Sequence, residues 1–226
     1  MRDIAAQKFL AQRPDAAAVY VRIAEPRFET RAAAASTEIL LYDEIGFWGV
    51  TARDFTKAML DAGEGPITLR INSPGGDVFD GLAIYNAIKQ RGGVTCVVDG
   101  IAASAASFIM LAGDTVQIHE RAMVMVHRAW GVTVGNGPAH LETAATLEKI
   151  DGQLAGIYAA YAGGSDAEWL ATMDAETWFT SSDAKTAKLV SSVIADAPPP
   201  PKASASVTAD IRAAQMRRLR LAETSA

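Results

Sequence analysis

The sequence predicts an α/β fold of repeated βαβ units around a mostly parallel sheet, followed by one long helix. Two observations predict this. Strand-like apolar runs alternate with helix-length segments through the middle of the chain, with Gly- or Pro-marked corners at their junctions. With 226 residues, 50% of them hydrophobic, the chain can also fill a core.

In order, "AVYVRIA" (18–24) and "TEILLYDEIG" (37–46) alternate as strands do. "TARDFTKAMLDAG" opens on a Thr cap and closes on Gly, which reads as a helix. Then come a strand "PITLRIN", a "SPGG" turn, a helix "DVFDGLAIYNAIKQRGG" and a strand "VTCVVDG". A helix "AASAASFIMLAG" and strands within "TVQIHERAMVMVH" complete the alternation. A long Ala/Leu/Ile-rich helix is expected over Pro138–Tyr161, followed by a short helix "SDAEWLATM", a "WFTSSDAKTAKLV" segment and a last strand "SSVI". Beyond Asp196 the composition shifts to a Pro/Ala/Ser linker, "APPPPKASASVT", and a tail made basic by Arg212, Arg217, Arg218 and Arg220. The organisation expected is an N-terminal segment (1–36), one domain (37–195, long helix about 138–161) and a linker with basic tail (196–226).

Composition narrows the function. A net charge of −5 argues against nucleic-acid binding. The sequence has no apolar run of membrane-spanning length, and its first residues have no apolar signal core, so no membrane association is expected and a cytoplasmic location is. The single cysteine, Cys96, fits a reducing compartment and reads as a buried core thiol. No His/Cys cluster suited to a metal appears, and no cofactor is expected.

Chemistry concentrates at three strand ends. "DGIAASAASFIM" (99–110) places Ser104 and Ser107 where a strand turns into a helix. Either is a small packing residue or a nucleophile beside the helix amides. "INSPGGDVFDG" (71–81) exposes backbone amides at Gly75 and Gly76, through a turn that needs positive φ or a loop that donates to an oxyanion. Of three histidines, His127 ends the alternating run "AMVMVH" at the sheet edge, where α/β sites gather.

Together, "INSPGGDV", "DGIAASAASFI" and "MVMVHRAW" resemble the signature stretches of the Clp protease proteolytic subunit family, ClpP, in order and spacing, and the likeness runs from about Thr37 to Ile194. The resemblance implies the ClpP/crotonase-like fold with a protruding handle helix at about 138–161, and serine endopeptidase activity without ATP hydrolysis of its own. It implies Ser104 as nucleophile and His127 as base. Gly75, Gly76 and the Ala105 amide become the oxyanion donors, and Ser107 a packing residue one turn on. Glu176 falls where the family has its acid, although that family places Asp there; Asp174 is the rival. Partners implied are a protein substrate and further copies of the chain in a homo-oligomeric ring, with an ATPase partner left open.

"EILLYDEIGFWGVTARDF" and "AETWFTSSDA" resemble the branch encoded in phage and prophage capsid modules. That branch implies a head-maturation protease cutting capsid or scaffold protein during prohead assembly, in the host cytoplasm or inside the assembling prohead. Alternatives are a catalytically silent ring or scaffold subunit and a general Clp-type housekeeping peptidase. Crotonase-like acyl-CoA enzymes share the two-amide hole but need neither Ser104 nor His127. A Ser–Lys peptidase would need a lysine at the site, whereas Lys149, Lys185 and Lys188 sit in helical patterns.

Overall fold

The computed structural model describes the backbone of residues 30–32 and residues 37–196 in full. The strand expected at 18–24 and the linker and tail beyond Asp196 lie outside them. The chain divides into two units, the first ending at Ile194 and the second covering Ala195–Ala226.

The first unit contains an eight-stranded sheet. In chain order its elements are β1 (Thr30–Ala32), β2 (Thr37–Leu41), α1 (Ala52–Asp61), β3 (Ile67–Ser73), α2 (Val78–Arg91), β4 (Val94–Ala103), α3 (Ala105–Ile109), β5 (Thr115–His119) and β6 (Met123–Val126). They continue as α4 (Gly137–Ala162), α5 (Asp166–Asp174), β7 (Thr177–Thr180), α6 (Ser181–Thr186) and β8 (Ser192–Ile194). The main path runs β1-β2-β3-β4-β5-β8, antiparallel only at β1. The strands from β2 to β5 are buried and joined through helices, as parallel pairing requires.

Strand β4 takes two partners along one of its edges. The first half of β4 pairs with β5, up to Val98↔Ile118, and its last three residues pair in parallel with β6, Ile101↔Met123 through Ala103↔Met125. β7 then adds antiparallel to β6, ending at Val126↔Thr177. This fork puts the end of β4 between the end of β3 (Ser73↔Ala102) and the end of β6. The three corners singled out in the sequence meet there.

The sequence places the strand-to-helix boundary three residues too early. Ala102 and Ala103 belong to β4, because their small, buried side chains suit a central strand squeezed between neighbours as well as they suit a helix. The segment "GVTVGNG" (131–137) has no strand partner; residues 127–136 form none of the sheet's ladders.

The helix layer is packed hard against the Ser104 corner. Gly81 of α2 faces α3 so closely that a Cβ there would sit 2.8 Å from Phe108 Cζ and 3.2 Å from Ala105 Cβ. Phe108 is itself fully buried. Gly81→Leu should push α2 off α3 and cost about 1–3 kcal/mol of stability, the usual penalty for overpacking. Denaturant unfolding checks this; an unchanged midpoint would show that the contact gives way freely.

Candidate active site

The site starts from a strained residue. Ser104 joins β4 to α3 with φ 52° and ψ −123°, outside the regions an L-residue ordinarily occupies, a conformation that costs on the order of 1–3 kcal/mol. A strand-to-helix elbow of this kind lifts a side chain clear of the backbone. The Ser104 hydroxyl does not cap α3, so it remains available. Its backbone N–H donates to the carbonyl of Met125, 2.9 Å away, which ties the elbow to β6. Two residues beyond Met125, His127 Nε2 lies 2.7 Å from Ser104 Oγ. The β4–β6 register therefore sets this distance. With its proton on Nδ1, the imidazole accepts the serine hydroxyl at Nε2.

The glycine turn abuts the same elbow. Gly75 has φ +92°, and a Cβ on it would fall 2.6 Å from both Ala103 O and Ser104 Cβ. Gly76 has φ +147°, and a Cβ there would strike the Ile45 carbonyl at 2.0 Å. Only glycines fit both places. Ile45 N–H donates to Gly75 O and Asp77 N–H to Ile45 O, both at 2.8 Å, which holds the turn from outside. The Gly75 N–H is engaged by Ser73 Oγ at 3.2 Å, and Ser73 in turn donates to Asp43 O. Of the two glycine amides the open donor is thus that of Gly76. The Ala105 N–H begins α3 and has no carbonyl a turn behind it.

The two carboxylates weighed from the sequence are placed differently. Both oxygens of Asp174 accept from Arg128, with Nε to Oδ1 at 2.6 Å and Nη2 to Oδ2 at 2.8 Å. Glu176 is exposed, in a left-handed conformation (φ 46°), and makes no hydrogen bond to His127. The β6–β7 ladder ends at Val126↔Thr177, so His127 and Glu176 are the next residues along their strands, where the positive φ of Glu176 takes it out of the ladder. The other histidines are elsewhere. His119 lies 3.3 Å from Asp99 on β4, and His140 is exposed near the start of α4.

Three supporting residues escaped the sequence reading. Asp151 of α4, buried, accepts from Ala129 N–H at 2.8 Å and from Arg128 Nη1 at 3.3 Å, pinning the chain just after His127. Arg128 bridges Asp151 to Asp174. Ser107 is buried but is more than a packing residue: its hydroxyl donates to Ser104 O and meets Tyr158 Oη at 2.6 Å. Asp151 could have been found as a lone acid in the apolar half of the long helix. Nothing in the sequence paired Ser107 with Tyr158, 51 positions on.

Three corners of one sheet thus bring together a serine, a histidine and two open amides. A family model for Clp protease matches residues 29–197, most of the chain. The chain belongs to the Clp protease family. The ATP-dependent Clp protease proteolytic subunit of Bacteroides fragilis is 31% identical over 170 residues, covering 69% of this chain and 81% of that protein. The protein of the same name from Pleurastrum terricola is 33% identical over 129 residues, covering 56% of this chain and 66% of the relative. ATP-dependent Clp protease proteolytic subunit 3, chloroplastic, of Arabidopsis thaliana is 30% identical over 176 residues, covering 73% and 57%. Membership in the Clp family makes this chain a protease with the α/β fold described above. Among the described residues, no group of three or more His, Cys, Asp or Glu could hold a metal ion, and no helix is long and apolar enough to cross a membrane.

The Arg128 guanidinium holds the Asp174 carboxyl below the ordinary carboxylate range. A carboxyl depressed in the folded state stabilises at neutral pH, and that contribution fades as pH falls through its folded value. Asp174→Asn should therefore lower the unfolding midpoint at pH 7, with the gap to wild type closing once the pH drops below about 4. A gap that persists unchanged in acid would mean that the ion pair is not its source.

Proposed function

We propose that the chain is a serine endopeptidase in which Ser104 is the nucleophile, His127 the general base and acid, and the Gly76 and Ala105 amides the oxyanion donors. The observation that supports it most directly is the 2.7 Å Ser104–His127 contact on a strained elbow. Ser104 Oγ attacks the scissile carbonyl carbon while its proton passes to His127 Nε2. The carbonyl oxygen becomes an oxyanion between the two amides. Collapse breaks the C–N bond as His127 returns the proton to the leaving amine; water then hydrolyses the acyl-serine with the same base. Glu176 is the third member in this reading, a carboxylate one residue before β7 as His127 is one residue after its partner strand β6. Asp174, with both oxygens committed to Arg128, is the weaker candidate.

Ser104→Ala should abolish cleavage of a small peptide amide and labelling by a serine-directed phosphonate while the fold persists, since Ala suits the elbow's surroundings. Glu176→Gln should lower kcat strongly with little change in KM, by up to about 10⁴-fold on the triad precedent, whereas Asp174→Ala should stay close to wild type. Labelling that survives in Ser104→Ala, or a dead Asp174→Ala beside an active Glu176→Gln, would overturn the assignment.

The active form in this reading is a homo-oligomeric ring. The first half of α4 supports it: no residue of that helix before Asp151 is buried, and Leu141 is 72% exposed. Leu147→Asp should convert the ring to smaller species by light scattering, with activity falling alongside; a fully active wild-type monomer would exclude the ring. For the substrate, the reading is head maturation: cleavage of a capsid or scaffold protein during prohead assembly. It rests on the likeness of "EILLYDEIGFWGVTARDF" and "AETWFTSSDA" to the phage branch. The relatives' names favour a second reading, a Clp-type housekeeping peptidase fed by an ATPase. Co-expression with a phage major capsid protein and its scaffold protein separates the two. Ser104-dependent trimming of those proteins supports head maturation, and degradation only with an added ATPase unfoldase supports the second.

A further inference from the structure

The long helix α4 reaches the nucleophile through one chain of hydrogen bonds. Tyr158, buried on α4, contacts the Ser107 hydroxyl at 2.6 Å, and that hydroxyl donates to the backbone carbonyl of Ser104. The Ser107 N–H donates to the same carbonyl at 3.0 Å. A carbonyl can only accept, so the single proton of Ser107 goes to Ser104 O, and Tyr158 must be the donor to Ser107. Burial keeps the Tyr158 phenol protonated far above its ordinary range, so this direction holds at every working pH.

The carbonyl so gripped shares a peptide plane with the Ala105 N–H. In a trans peptide the two bonds point in opposite directions on a rigid unit. Holding Ser104 O inward, toward Ser107 and Tyr158, aims the Ala105 N–H outward, to the side where the oxyanion would form. At φ 52° and ψ −123° this peptide is not held by ordinary backbone preference and needs anchoring from its surroundings. We propose that Ser107 and Tyr158 are positioning residues that lock the Ser104–Ala105 peptide with its N–H toward the oxyanion, making the oxyanion hole depend on the seating of α4. The inference rests on the serine-protease reading above.

The chain of contacts serves one peptide, which gives a specific test. In the full chain, with a fluorogenic peptide amide, Ser107→Ala should lower kcat about 10- to 100-fold, less than the loss on deleting an oxyanion donor outright. KM should stay near wild type, and affinity for a peptide boronic acid should fall in step with kcat/KM. Tyr158→Phe, which keeps the ring stacked on Trp169 (centroids 5.1 Å apart), should give a smaller loss of the same kind. The double variant should be no worse than Ser107→Ala alone, within a factor of about two, because both act through one anchor. The pH dependence of kcat should keep its shape. Should Ser107→Ala fail to fold, Tyr158→Phe carries the test by the same readouts.

Full kcat in a folded Ser107→Ala or Tyr158→Phe, losses that multiply in the double variant, or a rise in KM alone would each overturn the inference. The Ser104→Ala control separates the two levels. If it cleaves like wild type, the serine-protease reading itself has failed; if it is inactive while Ser107→Ala keeps full kcat, only the anchoring is wrong.

Discussion

The peptide between Ser104 and Ala105 is the constraint around which the site is built. Its residue at φ 52° is strained, and the surroundings over-determine it from every side. The Ser104 N–H is bound to Met125, and its carbonyl is bound by both the N–H and the hydroxyl of Ser107. Gly75 leaves no room for the elbow to retreat, since even a methyl group there would lie 2.6 Å from it. A conformation costing on the order of 1–3 kcal/mol survives only under that degree of restraint. What it yields is a hydroxyl and an amide presented on the same edge, fixed before any substrate arrives.

The forked strand explains how distant sequence segments reach that edge. β4 leaves β5 after Val98 and takes β6 as its neighbour from Ile101. Without the switch, β6 would have no pairing with the strand that leads into Ser104, and His127 would not follow two residues after the carbonyl that holds Ser104. On the far side β7 extends the same fork, its ladder ending at Val126↔Thr177, one residue short of His127 and Glu176. Long-range order of the histidine comes from α4, whose buried Asp151 fixes Ala129 while Arg128 spans Asp151 and Asp174. One helix therefore supports both the serine and the histidine, through groups seven positions apart and so on the same face.

Much of this was legible in the sequence. Alternating strands and helices, the two glycines after β3, and small residues around Ser104 each have a local cause, and local causes can be read from local spacing. The ends of elements were less legible. Ala102 and Ala103 satisfy a helix and a crowded strand equally, so only the pairing with β6 decides between them. The residues that hold the site in place were not legible at all. Ser107 looks like one more small residue until Tyr158 is seen beside it, and the bidentate hold of Arg128 on Asp174 depends on a loop closing 46 positions away. The same arrangement changed the standing of the two acids, leaving Asp174 occupied by Arg128 and Glu176 exposed at the start of β7, without a hydrogen bond to the histidine.

The most direct measurement is a crystal structure of the chain after reaction with a peptide boronic acid. The account predicts a covalent bond from Ser104 Oγ, with one boronate oxygen about 2.7–3.1 Å from both the Gly76 and Ala105 amide nitrogens. Ser104 O should remain bound to Ser107, and His127 should stay within hydrogen-bond reach of the adduct. An adduct on another residue, or a Ser104–Ala105 peptide flipped so that its carbonyl faces the boronate, would contradict it.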